Sequence, residues 1–174
     1  MSASQLWLAG SVEPSPEVIL MDSRWLSPAV VDSLSDRNHD WIGLLQVDRE
    51  IELYSLSLPG VNGFKAQKPG RTTIAHVVEL TLQAPYQAVE VSQQIHWSYT
   101  CCFSAVGLGR VRFAVYFDNP NKTRPYVALL TNRIDWSASR ILAQWTQQYP
   151  ISSLYGQKKV MKKPLSNVLR KAHG

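Results

Sequence analysis

Asp22 closes a short apolar run, Val18 to Met21, inside the stretch EVILMDSRWLSPAVV. A carboxylate at the end of a buried strand faces the crevice where α/β sheets bind ligands. Hard cations such as magnesium take carboxylate oxygens together with water and phosphate oxygens. Two-metal phosphoryl chemistry would need further acids brought beside Asp22 from other elements. An aspartate after a strand also serves as a turn or capping residue, so both roles stay open for Asp22 alone. The other reactive groups offer less. His39, His76, His96 and His173 are scattered without metal-ligand spacing. Cys101 and Cys102 are adjacent, which suits buried strand thiols and neither a disulfide framework nor a zinc site. There is no phosphate-binding glycine loop, no Gly-x-Ser-x-Gly elbow and no His-Glu-x-x-His.

The elements around Asp22 follow from local signals. Residues 17–22 form a buried strand bounded by the proline-rich EPSPE. SPAVVDSLSDR is a helix, with Ser27 as cap and Pro28 at the first helical position. WIGLLQV from Trp41 is a second apolar strand, so strand, helix and strand predict a parallel crossover. Farther on, TTIAHVVELTL, QAVEVSQQIHW and VRFAVYF show partial period-2 alternation and predict antiparallel β structure. DNPNKTRP is a turn by composition, and YVALLTN is another buried strand. DWSASRILAQWTQQY is a helix with Ile141, Leu142, Trp145 and Tyr149 on one apolar stripe and Asp135 as its expected cap. Trp25, Trp41, Trp97, Trp136 and Trp145 sit beside apolar runs and read as core.

At 174 residues and 45% hydrophobic, the chain is long enough for one domain with a substantial core. Its +5 charge is uneven: residues 1–70 hold 9 acids and 5 bases, residues 71–174 hold 4 acids and 13 bases. The basic half is where a polyanionic partner would bind. Arg110, Arg112, Lys122, Arg124, Arg133 and Arg140 belong to it, as do Lys158, Lys159, Lys162 and Lys163 in an acid-free end. No apolar run approaches the ~20 residues of a membrane span, and no signal-peptide pattern opens the chain. The expected setting is a reducing cytoplasm.

Two stretches carry a resemblance. VILMDSRWLSPAVVDSL...DWIGLLQVDREI resembles the second-aspartate region of insertion-sequence transposases of the DDE superfamily. VRFAVYFDNPNKTRPYVALLTNRIDWSASRILAQWTQQYPISSLY resembles the stretch leading to that family's third carboxylate. The matches lie in the family's order and together cover most of residues 17–155.

The resemblance implies a partial RNase H-like α/β fold, with a β-rich insertion at about 51–118 between the second Asp and the final catalytic helix. It implies magnesium-dependent DNA cleavage and strand transfer in transposition, with transposon-end DNA as partner and Asp22 as the second metal-binding acid. The family's Tyr-x-x-Arg-x-x-x-Glu-x(6)-Lys signature falls on Trp145, Gln148, Ser152 and Lys159, so Ser152 occupies the glutamate position. Before Asp22 the only acids are Glu13 and Glu17, and neither follows an apolar strand. The resemblance stops at MSASQLWLAGS and after Tyr155. The expectation is therefore a truncated or degenerate copy: a partial catalytic domain over 1–155 and a basic tail over 156–174. One carboxylate of three makes it inactive alone, or active only as a dimer or with a complementing full-length transposase. The alternatives are a non-catalytic DNA-binding remnant, which uses Arg133, Arg140 and the tail lysines, and an unrelated α/β domain.

Overall fold

The computed structural model describes residues 18–61, 70–150 and 155. β1 (Val18–Met21) leads into α1 (Pro28–Asp36) and then β2 (Asp40–Leu45). The Ser27 hydroxyl accepts from the Val30 N–H, and Pro28 sits in the first turn. β1 and β2 pair in parallel, Val18 against Asp40 and Met21 against Gly43. The crossover expected around Asp22 therefore forms.

β3 (Glu50–Ser55) and β4 (Gly70–Thr73) follow, then α2 (Ile74–Thr81), β5 (Gln87–Val91) and β6 (Gln94–Ala105). β7 (Gly109–Phe117), β8 (Tyr126–Thr131) and α3 (Ala138–Thr146) complete the described elements. The strands join into one sheet in the order β1-β2-β8-β7-β6-β3-β4, and β5 pairs with β6 beside that path. Every pairing except β1–β2 is antiparallel. Among the described residues, no helix is long and apolar enough to cross a membrane.

The expected RNase H-like α/β fold is not the one that forms. Over the described residues strand outweighs helix, 42% to 21%, and the sheet is curled into a half-barrel. The reason lies in the pairing. β2 has β1 on one side, but on the other it runs antiparallel to β8, with Ile42 opposite Thr131. β8 continues into the long β6–β7 hairpin, in which Trp97 to Ala105 face Phe117 to Gly109. Strands read as an insertion thus belong to the same sheet as the Asp22 strand.

A smaller correction concerns TTIAHVVELTL, expected as antiparallel β structure. It divides at Thr73, whose side chain accepts from the His76 N–H and caps α2. Ile74, Val77, Val78 and Thr81 are the buried positions. That is helical spacing, and it outweighs the local alternation.

The two sheet faces carry two cores. On one face Trp41, Phe103, Phe113, Phe117 and Leu130 pack with Val31 of α1 and Ile74, Val77 and Val78 of α2. On the other, Ile42, Ala114, Tyr116 and Leu129 pack with Ile141, Leu142 and Trp145 of α3. Leu20 joins the second core and Met21 the first, as alternation along a strand requires. The chain leaves β1 between these two layers, and Asp22 stands there.

Candidate functional site

Asp22 is 8% exposed and ends β1. Its Oδ1 accepts from the Arg24 backbone N–H at 2.8 Å. Its Oδ2 accepts from Arg24 Nε at 3.0 Å and from Arg24 Nη2 at 2.7 Å. The turn is closed by Trp25 N–H donating to the Asp22 carbonyl at 3.1 Å. A second arginine holds the turn from its other side. Arg49, in the link between β2 and β3, donates to the Ser23 and Leu26 carbonyls and to Ser23 Oγ. Burial lowers the Arg49 pKa, because no carboxylate is its partner in these contacts and backbone oxygens must replace its water.

Tyr149, just past α3, is buried against the second core. Burial raises its phenol pKa, and the negative charge of Asp22 adds to the rise. The end of α3 therefore comes within electrostatic reach of the end of β1. Ser152, the expected glutamate position, lies three residues beyond Tyr149 and outside the described residues. Glu13, Glu17, Lys158, Lys159, Lys162 and Lys163 lie outside them as well.

Magnesium is the ion that the resemblance implies for Asp22. Both carboxylate oxygens, however, already accept from Arg24, and a guanidinium 2.7 Å away supplies the positive charge a metal would bring. Among the described residues, no group of three or more His, Cys, Asp or Glu side chains could hold a metal ion. The described residues do not fit a two-metal site.

Of the other basic positions, Arg110 and Arg124 are exposed, and the rest divide into two sets. Arg133 donates to Asp40 at 3.0 Å and to both Asp135 oxygens, at 2.9 and 2.8 Å. This bracket lowers the Asp135 pKa to about 2, chiefly through its hydrogen bond with Arg133. Asp135 was expected to cap the last helix, but Ser137 does so by accepting from the Arg140 N–H, and Asp135 serves Arg133 instead. Arg112 is taken up by Thr100 Oγ1 and the Ile134 carbonyl. Lys122 donates to the Leu82 and Ala84 carbonyls and lies 4.8 Å from the Tyr86 ring centroid. Arg140 differs. It is exposed, lies 4.5 Å from the Trp136 ring centroid, and lines an open groove of about 530 Å³ with Glu90, Ser92, Thr146 and Gln147.

Sequence reasoning missed the pairing of Asp22 with Arg24 and the bracing of the turn after it by Arg49. The first had a signal, since Asp-Ser-Arg is the spacing of an aspartate that turns back on the residue two positions on. The second had none, because Arg49 reaches the turn through the tertiary structure.

Compared with protein-family models and with curated proteins, the chain matches none.

Proposed function

We propose that this chain is a transposase-related protein that binds DNA but does not by itself carry out the cleavage and strand-transfer chemistry of transposition. One observation carries the reading: Asp22 stands at the carboxyl end of β1 in a parallel β1–α1–β2 unit, and its two oxygens are held by Arg24. The position is the one the motif resemblance assigns to a metal-binding acid, and the partner is a guanidinium. The reading rests on this unit and on the two resembling stretches. The fold class lends it no support.

For DNA contact, the structure favours a narrower set than the composition. Arg112, Arg133 and Lys122 are tied to Thr100, Asp40, Asp135 and backbone carbonyls. That leaves the exposed Arg110, Arg124 and Arg140 and, from the sequence, Lys158, Lys159, Lys162 and Lys163 as the phosphate-contacting groups of the proposal. Transposon-end DNA and a complementing full-length transposase are the partners it implies.

Fluorescence anisotropy with a labelled duplex tests the binding. Affinity should fall steeply with salt as contacted phosphates release counterions. Replacing the four lysines should flatten that slope, and no binding at about 50 mM salt would refute DNA contact. A supercoiled-plasmid assay with magnesium or manganese tests the chemistry. Nicking that disappears in Asp22→Asn would show a working site and overturn the proposed inactivity.

A further inference from the structure

His96, on β6, is 1% exposed. Its Nδ1 lies 2.8 Å from the Tyr155 hydroxyl, and the two rings stack with centroids 5.4 Å apart and planes 22° from parallel. Its Nε2 is buried with no hydrogen-bond partner among the described residues. Tyr155 packs against the second core, which also holds Tyr116 of β7.

We propose that His96 and Tyr155 form a proton-operated anchor, in which the neutral imidazole holds Tyr155 against the sheet and the imidazolium releases it. The asymmetry lies in Nε2. A neutral ring can donate from Nδ1–H to the Tyr155 oxygen and leave Nε2 as a bare lone pair. An imidazolium must carry a proton on both nitrogens, and the Nε2–H would be buried with nothing among the described residues to accept it.

The surroundings supply little charge to offset this. On β5, the residue opposite His96 is Val89, and Glu90 pairs with the neighbouring Ile95. On β7, Tyr116 is fully buried and Asp118 follows Phe117. Arg140 is the one charged side chain of α3, and the Tyr149 phenol lies beyond that helix. Burial lowers the His96 pKa, and the Asp118 charge opposes that effect without cancelling it. For a base whose pKa falls on burial, the anchored state is fully favoured above the ordinary histidine value of about 6.5. It loses ground as pH drops through that value.

Hydrogen exchange on the full chain, corrected for intrinsic rates, tests the anchor. The open fraction at Tyr155 should rise up to about tenfold between pH 7.5 and 5.5, the limit set by a released imidazole titrating normally. The β7 amides of Ala114 to Phe117 should stay protected over the same range. His96→Gln should abolish the pH response. Tyr155→Phe should raise exchange already at pH 7.5 and keep the response, since His96 remains to be protonated. Exchange at Tyr155 that ignores pH, or β7 amides that open in step with it, would overturn the proposal. Should His96→Gln fail to fold, imidazole NMR on the unaltered chain decides: a midpoint below about 6.5 is expected, and one at or above it refutes the anchor.

Discussion

Replacing Arg49 by methionine isolates the contribution of the guanidinium to the Asp22 turn, because methionine keeps an unbranched stem of similar reach. The guanidinium donates to the Ser23 and Leu26 carbonyls and to Ser23 Oγ. Ser23 is 5% exposed and Leu26 1% exposed, so water reaches these acceptors poorly. Each buried acceptor left without a donor costs about 1–3 kcal/mol. Part is recovered, because a guanidinium whose pKa is lowered by burial no longer has to be desolvated. A net loss of about 2–3 kcal/mol follows, which in a chain of this size lowers the melting temperature by about 5–10 °C. Thermal unfolding followed by circular dichroism measures it. Exchange at the Arg24 and Trp25 amides, which bond Asp22 Oδ1 and the Asp22 carbonyl, should rise in the variant. Arg49→Lys should recover part of both effects by donating to one carbonyl. A melting temperature within about 1 °C of the parent, with unchanged exchange at those amides, would refute the view that Arg49 fixes the turn.

The Asp135 carboxyl should titrate near 2 by NMR and return towards its ordinary 3.8 in Arg133→Gln, since the arginine causes the depression. Its contribution to stability is present above pH 3.8 and disappears as pH falls towards 2. Iodoacetamide at pH 8 should alkylate Cys102 alone in the folded chain and both thiols in denaturant, because burial pushes the Cys101 thiol up to about 12. Peptide mass spectrometry reads the outcome. Gly107→Ala should destabilise the fold by about 2–3 kcal/mol in a urea titration. Gly107 has a φ of +78°, and an added methyl would meet Pro28 Cγ at 2.5 Å.

The unit around Asp22 was legible because its signals are local. A capping serine, a proline in the first turn and two apolar runs specify β1, α1 and β2 within about 30 residues. α2 was misassigned because Val77 and Val78 are β-formers, and only their spacing from Ile74 and Thr81 marks them as one helix face. The fold class failed for a different reason. A resemblance along two stretches describes those stretches, whereas the sheet is decided by pairings such as Ile42 with Thr131 and Phe113 with Leu130. Periodicity identifies which face of a strand is buried, but it does not name the neighbour. At the site, residue type pointed to Asp22 and strand position agreed. The two arginines that hold it and the turn after it depend on how the turn folds back, and only one of them is near in sequence.

The place of β2 between β1 and β8 has a consequence for synthesis. About 80 residues separate Leu45, where β2 ends, from Tyr126, where β8 begins. At about 5–20 residues per second, the ribosome takes about 4–16 s to make the strand that covers the open edge of β2. Throughout that interval the nascent chain presents the apolar ladder Asp-Trp-Ile-Gly-Leu-Leu with its backbone donors and acceptors unpaired on one side. The β6–β7 hairpin, local and long, can close while still emerging, but it has nothing to dock on β2 until β8 arrives. The window of greatest risk for misassembly in this protein therefore falls before β8, and a holding chaperone would find its target at residues 40–45.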